Sequence, residues 1–154
     1  MDAYTAALNL LSRRELSTVQ LRERLARRKF EPEEIDTVIQ RLTRDRTLDD
    51  RRVALAYARV EATIRRRGKR RVLQSVQRLG ISPVTARAAV DEVFGDIDEA
   101  AMLDTAIERR LKGATVRTLD ARGKARIVRS LVGQGYEPGK VFARLRAKGT
   151  DLDE

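Results

Sequence analysis

Six of the seven residues in the run Arg65-Arg66-Arg67-Gly68-Lys69-Arg70-Arg71 are cations, gathered around one glycine. A surface of this kind attracts polyanions, either nucleic acid or the acidic face of a protein. The run falls where a helix is expected to begin, and cations are unfavourable beside the positive end of a helix dipole. Their presence there asks for a compensating use. A smaller group, Lys124, Arg126 and Arg129, lies further along. The net charge is +10, distributed as +2 over residues 1–48, +6 over 49–95 and +2 over 96–154. The excess therefore sits in the middle of the chain.

Catalytic chemistry has little to draw on. The sequence contains no histidine and no cysteine, which removes the commonest general base, the commonest nucleophilic thiol and the usual zinc ligands. Gly68-Lys69 and Gly123-Lys124 resemble the end of a phosphate-binding loop, but each lacks the glycine five residues earlier and the hydroxyl residue after the lysine. Gly133-Gln134-Gly135 opens like a dinucleotide loop, yet Pro138 stands at the third glycine position, so it is read as a helix stop. Asp49-Asp50 could hold magnesium or divide acid and base roles; placed between Leu48 and the apolar stripe from Val53, it is better read as a helix cap. Tyr57 and Tyr136 lie on or beside apolar stripes and are assigned to packing rather than base stacking. No catalytic residue, metal site or cofactor is predicted.

The elements that must position these charges come from an internal repeat. All three prolines occur in one phrase: Lys29-Phe30-Glu31-Pro32, Gly80-Ile81-Ser82-Pro83 and Gly135-Tyr136-Glu137-Pro138. Glycine in the left-handed conformation ends a helix, the next apolar residue folds back, and proline enters the first turn of the following helix. Lys29 replaces glycine in the first copy, so a looser turn is expected there. Before the turns, apolar residues recur at Leu21 and Leu25, at Val72, Val76 and Leu79, and at Ile127 and Leu131. After them come Ile35, Val38, Ile39 and Leu42, then Ala86, Ala89, Val90 and Val93, then Val141, Phe142 and Leu145. A further helix precedes each pair, with stripes at Tyr4, Ala7, Leu8 and Leu11, at Val53, Tyr57, Val60 and Ile64, and at Leu103, Ala106, Ile107 and Leu111. The predicted fold is all-α: three tandem three-helix repeats in an elongated, curved array, spanning 1–48, 49–95 and 96–154, the last with a short acidic tail.

No apolar stretch approaches the roughly 20 residues that cross a bilayer, and the first residues lack the pattern of a secretory signal. A cytoplasmic monomer without membrane contact is expected, and the absence of cysteine fits a reducing compartment.

Leu48-Asp49-Asp50-Arg51-Arg52-Val53-Ala54, followed by Gly68-Lys69-Arg70-Arg71-Val72 and Gly80-Ile81-Ser82, resembles the signature of the RecX family, bacterial regulators of the RecA recombinase. The likeness runs from about Tyr4 to Gly149, with departures at Val53, Ser75 and Val76. It implies structural roles for Leu48, Asp49, Asp50, Gly68, Gly80 and Ile81, and a non-enzymatic protein that binds the RecA filament on single-stranded DNA. Such proteins lie in the filament groove and restrain strand exchange, ATP hydrolysis and repressor cleavage. The basic residues Arg65, Arg66, Arg67, Lys69, Arg70, Arg71, Lys124, Arg126 and Arg129 are the candidate contacts to filament or DNA. Two readings compete with this one: a sequence-independent nucleic-acid binder acting without RecA, and a passive scaffold.

Overall fold

The computed structural model describes residues 1–150; the acidic tail predicted at the end lies outside them. The described residues are helical throughout, with no strand. The helices are α1 (Ala3–Arg13), α2 (Thr18–Arg27), α3 (Pro32–Arg44), α4 (Asp50–Arg59), α5 (Lys69–Gln77), α6 (Pro83–Gly95), α7 (Glu99–Leu111), α8 (Ala121–Gln134) and α9 (Pro138–Thr150). A π-helical turn, Val60–Ile64, extends α4, and a 3-10 turn, Val116–Thr118, precedes α8.

Pro32, Pro83 and Pro138 each occupy the first position of a helix, where the missing amide has no intrahelical partner. Most helix starts are closed by side chains: Asp2, Ser17, Asp49, Ser82, Asp98 and Asp120 each accept a backbone N–H from the first turn. The helices pack most extensively within consecutive triplets, α1–α3, α4–α6 and α7–α9, and each triplet encloses its own apolar cluster. Surface area reflects this division. The chain exposes 9852 Å², against roughly 7,900 Å² for a compact monomer of its mass. The body is an elongated array rather than a single globule.

The stripes on the second and third helices of each triplet face their cores as expected, except that Phe142 is 51% exposed on α9, which packs through Val141 and Leu145 instead. Among the first helices, α7 buries Leu103 and Ile107 with Ala106 and Leu111 packed beside them, as expected, whereas α1 and α4 are rotated from the expected register. On α1 the buried line is Ala3, Ala6, Ala7 and Leu10, with Tyr4, Leu8 and Leu11 only at its flank. On α4 it is Val53, Ala54 and Ala58, continued by Ala62, while Val60 and Ile64 turn outward at 45% and 72% exposure. Small side chains let these helices approach their neighbours closely, and the bulkier residues splay to the edges.

Lys29 does adopt the left-handed conformation, with φ 66°. Its turn is closed by the same long bond as the glycine copy: Phe30 N–H to the Leu25 carbonyl at 3.4 Å, compared with Tyr136 N–H to the Leu131 carbonyl at 3.1 Å. The expected loosening amounts to a slightly longer bond and a half-buried Phe30, whereas Ile81 and Tyr136 are buried. A side chain in this conformation carries strain that glycine avoids, so Lys29→Gly is expected to stabilise the protein by about 0.5–1 kcal/mol. Chemical denaturation would test it; a loss of stability would show that Lys29 makes a compensating contact.

Candidate functional site

The basic run begins where the π-helical turn ends. The defining bond of that turn is Arg65 N–H to the Val60 carbonyl at 3.1 Å, five residues back. One residue is thereby added to the coil. Glu61, seven residues after Ala54 and three after Ala58, lies on the buried face of this helix at 1% exposure. There it accepts from Arg65 at 3.1 Å and from Arg67 at 2.6 Å. Between them Arg66 is left-handed, with φ 54°. Its carbonyl is approached at 3.4 Å by both Gln134 Nε2 and the Tyr136 hydroxyl. Burial pushes the Tyr136 phenol above its usual range, so it remains a donor at neutral pH.

Beyond Arg67, the end of α8 meets the start of α5. Gly68 N–H donates to the Gln134 carbonyl at 2.9 Å, and Arg70 N–H to the Gly135 carbonyl at 3.2 Å. Unpartnered amides at one helix start are thus satisfied by unpartnered carbonyls at another helix end. The two backbones touch so closely that a Cβ on Gly68 would lie 2.4 Å from the Gly135 carbonyl carbon. This contact answers the electrostatic question raised by the sequence. The negative end of the α8 dipole faces the cations at the start of α5, and Arg71 Nη1 donates to the Gly133 carbonyl at 3.2 Å.

A similar joint links the first two triplets. The Ser17 hydroxyl at the start of α2 donates to the Leu79 carbonyl at the end of α5, and a Cβ on Gly80 would lie 2.6 Å from the Val19 Cβ. Asp50 reinforces it by accepting from Thr18 N–H at 2.7 Å and the Thr18 hydroxyl at 3.0 Å. Asp49 caps α4 through Arg52 N–H at 3.2 Å, so the aspartate pair divides between a cap and a joint. Leu48 is buried in the first core, and Ile81 in the second. The resemblance-derived residues Asp50, Gly68 and Gly80 all lie at the joints. Lys29 occupies the corresponding turn of the first triplet.

The basic candidates separate under this geometry. Arg65 and Arg67 are held by Glu61, Lys69 by Asp91 at 2.8 Å, and Arg71 by the α8 carbonyl. These four charges therefore serve the turn and the joint as well as the surface. Arg66 and Arg70 are exposed with no side-chain partner among the described residues. On α8, Arg126 and Arg129 share a face, but Lys124 is two residues from Arg126 and so lies nearly opposite it at 100° per residue. Sequence reasoning missed Arg122, whose spacing of four and seven residues from Arg126 and Arg129 was its signal. All three arginines are exposed, and α8 contains no acid. Their line continues to Gly133, where Arg71 takes over, followed by Arg70. The result is a cationic track with roughly one charge per 5.4 Å helical turn, crossing the joint between the second and third triplets.

Among the described residues no group of three or more acidic side chains is placed to hold a metal ion, and no helix is long and apolar enough to cross a membrane.

Stacked helical triplets joined end to end, with an arginine track across one joint, define a helical-array protein. Residues 3–42 match the family described as RecX, first three-helix domain. The regulatory protein RecX of Trichlorobacter lovleyi is 32% identical over 138 residues, covering 88% of each chain, and that of Syntrophotalea carbinolica is 29% identical over 92% of each. The crystal structure of RecX from Lactobacillus salivarius superposes with a TM-score of 0.84 over 96% of this chain and 94% of that one, at 19% identity. The chain belongs to the RecX family of regulatory proteins.

Proposed function

We propose that this chain binds the filament formed by the RecA recombinase on single-stranded DNA and restrains its recombinase, ATPase and coprotease activities, without being an enzyme itself. Family membership supports the regulatory role, and the track of Arg122, Arg126, Arg129, Arg71 and Arg70 carries the contact. Regular spacing and the absence of acids on α8 suit a phosphate backbone or an acidic protein groove. The elongated array offers a long surface to a helical partner. We further propose three folding units, 1–48, 49–95 and 96–154, in a cytoplasmic monomer; their cores and joints support that division.

The test is fluorescence anisotropy with RecA-coated and naked single strands in one buffer near 0.15 M salt, where charges beyond about 8 Å are screened. Tighter binding to the coated strand is expected, because protein contacts add to the electrostatic attraction. Replacing Arg122, Arg126 and Arg129 together by serine should weaken filament binding and inhibition at least tenfold, leaving thermal stability near the original. If the three arginines contact phosphates, the salt slope should also fall by about 2. Equal affinity for coated and naked DNA would favour a sequence-independent nucleic-acid binder; unchanged inhibition by the folded triple variant would remove the track from the contact.

A further inference from the structure

Beside the joint lies a cleft of about 730 Å³ between the π-helical turn, α7 and the end of α8. Three features distinguish it from the arginine track. Its walls are apolar: Ile64 on one side and Met102 on the other, with buried Tyr136 at the base. Its rim carries four arginines, Arg65, Arg66, Arg109 and Arg110, against one carboxylate, Asp98. Two of the four are fixed in place, Arg65 by Glu61 and Arg110 by the Ser130 hydroxyl and the Ala106 carbonyl. Arg66 and Arg109 are exposed and have no side-chain partner among the described residues.

Ile64, the last residue of the π-helical turn, is 72% exposed. Turns of this type cost hydrogen-bond geometry and recur at functional sites. Here the turn presents a large aliphatic side chain at the cleft, and Glu61 within it holds Arg65 and Arg67. The left-handed strain at Arg66, supported by Gln134 and Tyr136, fixes one edge of the rim.

We propose that this cleft is a docking site for an acidic peptide segment of a protein partner, with one bulky apolar side chain anchored between Ile64 and Met102 and flanking carboxylates paired to Arg66 and Arg109. Charge complementarity selects the acidic flanks, since guanidinium groups recognise carboxylates through paired hydrogen bonds. The aliphatic walls select the anchor, and methionine adapts readily to its shape. A nucleic-acid strand fits less well. Base stacking needs an exposed ring face, and the Tyr136 ring is 1% exposed. The inference stands apart from the filament reading, which rests on the arginine track.

A fluorescein-labelled acidic peptide with a central Leu-Phe pair, titrated with the full-length protein at 0.15 M salt, tests the site. Micromolar binding is expected. Changing the pair to Ser-Ser, or introducing Ile64→Asp or Arg109→Glu in the protein, should weaken it at least tenfold. Replacement of Arg126 and Arg129 by serine should leave it within twofold. Far-UV circular dichroism would establish that the exposed-residue variants remain folded, and amide chemical-shift changes should cluster at residues 62–66 and 101–109. The proposal fails if the peptide does not bind, if the Ser-Ser peptide binds equally well, or if Ile64→Asp has no effect. Competition by oligo-dT that is lost in Ile64→Asp would also overturn it, assigning the cleft to nucleic acid.

Discussion

Gly135→Ala is expected to destabilise the protein by about 2–5 kcal/mol, combining left-handed backbone strain with overpacking. Gly135 has φ 110°, and a Cβ there would lie 2.5 Å from the Arg71 Cβ and 2.7 Å from the Gly68 carbonyl oxygen. Neither neighbour can move alone, because both belong to the backbone contact that joins α8 to α5. Gly68→Ala separates the two causes. Its φ of −71° suits any residue, so its expected loss of about 1–3 kcal/mol reports close approach alone. Gly133→Ala is the control. Nothing lies within 4 Å of a Cβ at that helical position, and alanine should stabilise by roughly 0.5–1 kcal/mol. Urea denaturation of the three variants would decide it; Gly135→Ala within 1 kcal/mol of the Gly133→Ala variant would show that the joint does not constrain its glycines.

The joint also accounts for what the sequence could and could not convey. Prolines and left-handed turns act locally, so Pro32, Pro83 and Pro138 located three helix starts correctly, and the stripes of α2, α3, α5, α6 and α8 followed from bulky residues at helical spacing. The stripe of α7 was read as well, but α1 and α4 were less legible. Bulk suggested Tyr4, Val60 and Ile64 as core, whereas close packing selected Ala3, Ala6, Ala54 and Ala58. Alanine is common on either face of a helix, and only the partner helix decides between them. The π-helical turn has no residue-type signature, and Glu61 follows the alanine line, seven residues after Ala54 and three after Ala58, rather than the bulky stripe.

The basic site shows the same division. The basic run was legible because charge density is a sequence property. The allocation of individual charges was not: Glu61 and Asp91 lie close in the chain or fold to Arg67 and Lys69, but the α8 carbonyls that receive Gly68, Arg70 and Arg71 come from more than 60 residues away. Gly68 looked like a break within a cation run. Its function is to let two backbones meet.

Arg67→Met is expected to cost about 3 kcal/mol, the usual penalty for leaving a buried charge with its pairing broken. Glu61 is 1% exposed, and of its two donors Arg67 is the more sheltered, with side-chain exposure of 22% against 56% for Arg65. The methionine would preserve most of the side chain's apolar length, so the loss would report the charge rather than a cavity. Removing both charges should recover much of it: in Glu61→Leu with Arg67→Met, no carboxylate remains buried, and packing can replace the pair. The double-mutant cycle therefore predicts a coupling of at least 1 kcal/mol, well above what an exposed pair supplies. Arg66 should respond as well, since its left-handed conformation lies between the two arginines that Glu61 holds. Amide exchange at residues 65–67 should accelerate in Arg67→Met and return toward the original rate in the double variant. A single variant within 0.5 kcal/mol of the parent, with unchanged exchange, would show that Glu61 is satisfied by Arg65 alone and that the basic turn is held by the joint rather than by its buried carboxylate.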